Sequence, residues 1–216
     1  MLTLISIPGP ESQQIYSAGG RTRPEKQVHL CSKSFKMIEV HVRNPTMSCD
    51  TSKHVILVGV IGVGKSTLGP ILAEEMSRAW FDVDTEIDKR SSESGGEIIR
   101  KLGIPKFREI EEHACSDLIK SEPGAVISTG AGAFLSESTR ARCRAHTVVW
   151  LRNDPQRIAG RVQHSDRYLI RNHCALTVVT EQLESRASCY KEADLWVECG
   201  DAAPRDLAGA ILPYLS

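Results

Sequence analysis

The sequence predicts an α/β protein with three layers, in which helices cover both faces of a five-stranded parallel sheet. Two observations support this fold class. From residue 54 to the end, short apolar runs rich in β-branched residues alternate with segments whose apolar residues recur every three or four positions. The short runs are continuously apolar, which is typical of parallel strands that are buried on both faces.

This alternation predicts each element in turn, and glycine or proline marks several boundaries. The predicted strands are 54–59, 79–83, 125–128, 146–151 and 194–198. The predicted helices are 65–78, 85–90, 97–102, 106–120, 136–144, 155–162, 174–190 and 204–214. This order of elements indicates a single domain over residues 54–216.

The composition argues against several broad classes of function. The chain has 27 basic and 27 acidic residues and no formal net charge, which argues against a nucleic-acid or membrane-surface partner. No apolar run reaches the roughly 18 to 20 residues that span a bilayer. The seven cysteines are scattered without a C-x-x-C pair, so we expect reduced thiols and a cytoplasmic location. We also expect a monomer.

The first 53 residues differ in composition from the rest of the chain. They are rich in Pro, Gly, Ser and Thr and lack a sustained period, apart from one short candidate strand at 35–42. This composition predicts a poorly ordered extension. Two alternatives remain open, a targeting segment for a plastid or another organelle and a translation start at Met47.

A phosphate-binding loop follows the first predicted strand. Residues 59–66 match the pattern G-x-x-x-x-G-K-[ST], between a strand and a helix. The backbone N–H groups of such a loop cradle phosphates, the lysine reaches the β- and γ-phosphates, and the hydroxyl ligates Mg²⁺. We therefore expect ATP and Mg²⁺ to bind here, with the nucleotide contacting Gly62, Val63, Gly64, Lys65, Ser66 and Thr67.

Two acidic residues end the second predicted strand. Asp82 and Asp84 are two positions apart, so in an extended segment their carboxylates face the same way. Ligands of open α/β sheets bind at this end of the strands. We expect Asp82, with Ser66, to hold the metal, and Asp84 to accept a hydroxyl hydrogen bond and its proton. The alternative is an acidic turn that only caps the next helix.

With these motifs in place, the chain resembles the shikimate kinases from about residue 54 to its end. The order and spacing of its motifs agree with those of the family throughout this region, which makes the resemblance specific for the substrate. The residues that carry it are Gly59 to Thr67, Asp82-x-Asp84-x-x-Ile87, Phe107-Arg108-x-Ile110-Glu111, Ser128-Thr129-Gly130-Ala131-Gly132, Arg167 with Leu169, and Arg186 with Tyr190-x-x-Ala193-Asp194. The resemblance implies a fold like that of the nucleoside monophosphate kinases, with a substrate-binding subdomain and a mobile lid.

The resemblance implies transfer of the γ-phosphate of ATP to the 3-hydroxyl of shikimate, a step towards the aromatic amino acids. Arg108 and Arg186 would bind the carboxylate, which suits a guanidinium fork. Asp84 would bind the ring hydroxyls and act as the base. Glu111 would orient Arg108 from one helical turn away. The loop after the third strand would also contact the substrate, through Gly130, Ala131 and Gly132.

Residues 160–170 match the lid. By the resemblance, Arg167 would swing over the phosphates and stabilise the transferring group, and Arg161 would stack on adenine. Closure of the lid would exclude water, which favours transfer over hydrolysis.

Three positions depart from the family pattern. Ala131 replaces a glycine, Tyr168 replaces a proline near the nucleotide, and 104–106 lack an acidic residue before Phe107. The departures leave two alternative functions open, a binding module without activity and a related kinase acting on another polyol acid such as gluconate.

Overall fold

The structure is a computed structural model that describes residues 26–31, 37–43, 50–121, 123–165, 167–171 and 173–215. Its strands are β1 (Lys26–Cys31), β2 (Met37–Val42), β3 (Val55–Val58), β4 (Trp80–Asp82), β5 (Val126–Ser128), β6 (Thr147–Arg152) and β7 (Leu195–Glu198). Its helices are α1 (Lys65–Glu75), α2 (Val83–Ser91), α3 (Gly95–Ser121), α4 (Glu137–Cys143), α5 (Pro155–Val162), α6 (Ala175–Tyr190) and α7 (Pro204–Ile211). All five predicted strands and all predicted helices are therefore present.

The sheet combines the five predicted parallel strands with two further strands. Its order is β1-β2-β7-β6-β3-β5-β4. The five strands from β7 to β4 are parallel, as predicted. β1 and β2 form an antiparallel hairpin, and β2 pairs antiparallel with β7. A count of five strands is therefore correct for the parallel part only.

The hairpin lies within the segment for which the composition predicts a poorly ordered extension. β2 has β-branched residues at alternate positions, and Ile38, Val40 and Val42 are buried in the main core. On the other face, the ring of His41 lies 6.2 Å from that of Trp196 on β7. The hairpin thus covers an edge that β7 would otherwise expose. The rest of residues 1–53, apart from 43 and 50–53, lies outside the described residues.

The buried apolar residues of the core form two clusters. The larger one surrounds β3 and β6, whose interior residues are buried on both faces, as helices on each side of the sheet require. The smaller one joins α2 and α3 to β5 and includes Ile87, Phe107 and Ile127. α3 is interrupted at Gly103, whose φ of 81° is left-handed, where a break was predicted. Among the described residues, no helix has the length and apolar character needed to cross a bilayer.

Candidate active site

The site lies where three neighbouring parallel strands end. β3 leads into the phosphate loop, β4 into the acidic pair, and β5 into the 130–132 loop. Because parallel strands present their carboxyl ends at one edge of the sheet, these three segments meet there. Two cavities open at this edge, of about 530 Å³ and about 460 Å³.

The larger cavity has the lining expected of a nucleotide site. All eight residues predicted to bind the nucleotide line it, namely Gly62, Val63, Gly64, Lys65, Ser66, Thr67, Arg161 and Arg167. Gly62 has a φ of 73°, and a Cβ there would lie 2.2 Å from Cγ1 of Val162, so only glycine suits this bend. All eight residues therefore lie at this cavity, and their binding of a nucleotide stays a prediction.

Lys65 is buried and held by the loop itself. Its Nζ donates to the carbonyl oxygens of Gly59 at 2.8 Å and Val60 at 3.1 Å. Burial lowers the pKa of Lys65 to about 8, against the opposing effect of the Asp84 carboxylate. The ammonium group is thus charged at neutral pH and lies at the entrance to α1, where phosphates bind.

Asp82 has two hydrogen-bonding roles. Its Oδ2 accepts a 2.7 Å hydrogen bond from Oγ of Ser66, and its Oδ1 accepts from the backbone N–H of Thr85 at 3.2 Å. The second bond caps α2, so the alternative of a capping acid is correct for Asp82 but does not exclude a metal role. A hydroxyl and a carboxylate side by side are hard oxygen ligands of the kind that Mg²⁺ prefers.

The geometric argument used for Asp84 was wrong, although Asp84 does face the site. β4 ends at Asp82 and α2 begins at Val83, so strand alternation does not orient Asp84. The first turn of α2 places it instead, and Asp84 lines both cavities. Burial and the neighbouring carboxylates of Glu111 and Asp82 raise the pKa of Asp84 to about 6.

The smaller cavity contains the predicted cationic fork. Arg108 and Arg186 both line it, together with Asp84. Glu111 is buried, and its Oε2 accepts a 2.5 Å hydrogen bond from Nη1 of Arg108. Nη1 of Arg186 donates to the Ala131 carbonyl oxygen at 2.6 Å. A pocket with two guanidinium groups opposite a carboxylate suits a small acid that also bears hydroxyl groups.

The two cavities meet at shared residues. Five residues line both of them, namely Ile61, Ser66, Asp84, Ala131 and Arg167. A phosphoryl group passing from one cavity to the other would therefore pass beside the Asp84 carboxylate and the Arg167 guanidinium.

Comparison with known proteins agrees with this geometry. The family model described as shikimate kinase matches residues 61–216. A shikimate kinase of Caulobacter vibrioides is 39% identical over 166 residues, which cover 76% of this chain and 82% of that protein. A shikimate kinase of Cereibacter sphaeroides is 35% identical over 158 residues, covering 72% of this chain and 79% of that protein. This chain belongs to the shikimate kinase family.

Solved structures support the same assignment. A shikimate kinase from Acinetobacter baumannii in complex with shikimate superposes with a TM-score of 0.71 and 31% identity, covering 75% of this chain and 92% of that one. A gluconokinase from Sinorhizobium meliloti superposes with a TM-score of 0.52 at 21% identity, covering 76% and 92%. The second similarity shows a shared fold only.

Within this family member, two of the glycines predicted to contact the substrate have charged side chains as close neighbours. Gly130 and Gly132 are buried and are not among the described residues that line either cavity. A Cβ on Gly130 would lie 2.0 Å from Oε1 of Glu111 and 2.8 Å from Oδ1 of Asp84, and one on Gly132 would lie 2.1 Å from Cζ of Arg108. Both glycines therefore make room for the charged side chains, and direct substrate contact through them stays a prediction.

Replacing Gly130 by alanine is expected to raise the KM for the acceptor and to lower the stability by roughly 1–3 kcal/mol, since the added methyl group displaces Glu111 from Arg108. Steady-state kinetics and urea unfolding measure the two effects. Gly209→Ala on α7 is the matched control, because a Cβ there meets nothing within 4 Å. Unchanged kinetics in Gly130→Ala would contradict the crowding that the structure indicates.

The structure shows the surroundings of two departures from the family pattern, Ala131 and Tyr168. Among the described non-glycine residues only Ser77 and Ser92 have positive φ, so Ala131 is free of that strain. Its carbonyl oxygen accepts from Arg186 and, at 2.7 Å, from the Tyr190 hydroxyl. The expectation that Tyr168 lies near the nucleotide was wrong, since Tyr168 lines the acceptor cavity and faces Gly96.

Sequence reasoning missed one wall of the nucleotide cavity. Four residues in and after the β7–α7 connection line it, namely Cys199, Ala202, Pro204 and Leu207. They form no motif. Their one available signal is position, because a loop that follows a parallel strand lies at the same edge as the phosphate loop. Pro204 and Arg161 line the same cavity as the phosphate loop, and the stacking of Arg161 on adenine stays a prediction.

Proposed function

We propose that this chain transfers the γ-phosphate of ATP to the 3-hydroxyl of shikimate. The observation that carries the proposal is the shared wall of the two cavities, where Asp84 lies between a phosphate loop and a fork of two arginines. The shikimate complex of the Acinetobacter baumannii relative supports the choice of acceptor. Family membership supports ATP as the donor.

The residues divide the chemistry between them. Arg108 and Arg186 bind the carboxylate of the acceptor and orient its ring. Asp84 accepts the proton of the 3-hydroxyl as that oxygen bonds to the γ-phosphorus, while the bond to the leaving oxygen of ADP breaks. Lys65 and Arg167 stabilise the negative charge on the transferring group. A base whose pKa is raised to about 6 is suited to this step near neutral pH.

Mg²⁺ fits the oxygen ligands at the end of β4. Ser66 and Asp82 would hold it, directly or through water, and it would neutralise charge on the phosphates. Within the described ranges, no cluster of three His, Cys, Asp or Glu side chains competes for a metal. A site with few protein ligands is the usual arrangement for Mg²⁺ bound with phosphates.

Monomeric action in the cytoplasm is a further part of the proposal. Residues of this chain line both cavities, in keeping with a monomer. Five cysteines are free thiols, in keeping with a reducing compartment, namely Cys115, Cys143, Cys174, Cys189 and Cys199. Size-exclusion chromatography with light scattering tests the first point, and imaging of the tagged full chain tests the second.

Turnover by the full chain with ATP and Mg²⁺ is the direct test of the activity. Shikimate and gluconate are supplied in separate reactions, ADP release is followed, and phosphorus NMR locates the new ester on the ring. We expect saturable turnover of shikimate with the ester at the 3-position. Turnover of gluconate alone would favour the related kinase, and shikimate binding without turnover would favour the binding module.

The carboxylate role of Arg108 gives a separate prediction. Arg108→Ala is expected to raise the KM for shikimate roughly 30-fold or more, because loss of a charged partner costs about 2 kcal/mol or more. The KM for ATP should change little. Arg108→Lys should recover part of the loss, since lysine keeps the charge without the planar fork. Arg90→Ala, which removes an exposed arginine from α2, is the control, and equal effects on both KM values would contradict the assignment.

A further inference from the structure

Gln182 is a buried polar residue that bonds to one group from each half of the site. It lies on α6, is 6% exposed, and is not among the described residues that line either cavity. Its Oε1 accepts from the backbone N–H of Ile61 at 3.3 Å and from Nη1 of Arg186 at 3.0 Å. The amide oxygen has two lone pairs, so these two donors use its full accepting capacity.

The bond to Ile61 reaches the phosphate-binding lysine through one peptide unit. The N–H of Ile61 and the carbonyl of Val60 belong to the same planar group. Nζ of Lys65 donates to that carbonyl at 3.1 Å. When Lys65 turns towards a phosphate, the peptide unit loses its charged partner, and the bond to Gln182 remains to hold its orientation.

The bond to Arg186 reaches the acceptor pocket. Arg186 is 8% exposed, and its Nη1 has two acceptors, Gln182 and the Ala131 carbonyl. Together these two acceptors fix the plane of the guanidinium group that faces the acceptor cavity. Without the amide oxygen, one buried hydrogen bond of the fork would be lost.

We propose that Gln182 is a positioning residue that couples nucleotide binding to acceptor binding. This inference rests on the proposed function, because it takes shikimate as the ligand of Arg186. A series of hydrogen bonds, called the bridge below, runs from Lys65 through the Val60–Ile61 peptide and Gln182 to Arg186. Each ligand orders the group at one end of this bridge. The second ligand then finds its site already ordered, so the coupling is positive.

The test is calorimetric binding of shikimate to the full chain, with and without the β,γ-imido analogue of ATP and Mg²⁺. In the unchanged chain we expect the analogue to raise the shikimate affinity about 5-fold or more, the lower end of common coupling energies. In Gln182→Met, which keeps the length of the side chain but loses the amide oxygen, the factor should fall to near one.

Two further variants separate this role from a purely structural one. Gln182→Glu keeps an oxygen that accepts from both donors, so it should retain the coupling. Val179→Ala removes buried volume from the same helix without touching the bridge, so it should lower the melting temperature and leave the coupling intact. If the role of Gln182 were structural only, both Gln182 variants would be less stable and the coupling factor would be unchanged.

The outcomes distinguish this inference from the function on which it rests. Independent binding of the two ligands by the unchanged chain, or full coupling in Gln182→Met, would overturn the bridge and leave the proposed activity standing. Failure of the unchanged chain to bind shikimate, while the nucleotide analogue still binds, would overturn the proposed function and the bridge together.

Discussion

Replacing Asp84 by asparagine is expected to lower kcat by a factor of roughly 10²–10⁴, the usual contribution of a general base. Asparagine has the same shape and still accepts a hydrogen bond, but it cannot take the proton of the acceptor hydroxyl. The affinity for shikimate should therefore change only a few-fold, because in the proposed mechanism the two arginines supply most of the binding. Steady-state kinetics and calorimetry on the same preparation measure both quantities.

The pH dependence of kcat/KM gives an independent test of Asp84 as the base. The pKa of Asp84 is raised to about 6, so the carboxylate becomes protonated and kcat/KM falls below that pH. The pKa of Lys65 is lowered to about 8, so the ammonium group loses its proton and kcat/KM falls above that pH. We expect a bell-shaped profile whose acidic limb is absent in Asp84→Asn.

Asp117→Asn is the matched control for Asp84. Asp117 is an exposed carboxylate on α3 that pairs with Arg90 at 2.7 Å. Its replacement removes one negative charge from the same subdomain without reaching the cavities. If Asp84→Asn were as active as Asp117→Asn, the base would have to be another group.

Replacing Lys65 by methionine is expected to lower kcat/KM on the order of 10³-fold, comparable to removal of a preorganised donor to a transition-state oxygen. Methionine fills a similar volume, so the buried position should stay packed and the chain should stay folded. The lost interaction is electrostatic, because in the proposed mechanism the ammonium group stabilises the charge on the γ-phosphate during transfer. Initial rates at saturating shikimate and circular dichroism measure activity and folding.

Lys89→Met is the control for Lys65, because Lys89 is an exposed lysine on α2 that pairs with Glu86 at 2.7 Å. We expect normal rates in this variant. A near-normal rate in Lys65→Met would remove the phosphate loop from the mechanism, whatever the outcome for Asp84.

Local patterns predicted the parallel part of the sheet and most of the site. The phosphate loop is contiguous in the chain, so its spacing alone indicated six residues that line the larger cavity. The continuously apolar runs at β3, β5 and β6 indicated strands buried on both faces, because no solvent-facing side of the sheet requires polar residues there. Arg108 and Glu111 could be paired from their spacing of three along one helix.

Other features arise from contacts between distant parts of the chain. β2 was predicted as a short strand, yet its partner β7 lies some 150 residues later, and nothing in the local pattern names that partner. Asp84 was expected in an extended segment, but α2, which Asp82 caps, begins at Val83, one residue before Asp84. Tyr168 was expected beside the nucleotide, and the path of the lid places it on the acceptor side.

The amino-acid sequence by itself determined the parallel strands, the phosphate loop and the identity of the charged groups, since each depends on neighbours within a few residues. Tertiary structure alone decided that the hairpin closes the sheet edge, that Gly130 and Gly132 make room for Glu111 and Arg108, and that Gln182 joins Ile61 to Arg186. The physical reason is that a hydrogen bond or a close approach across many residues leaves no periodicity in the chain. Only the packed backbone brings such groups within bonding distance.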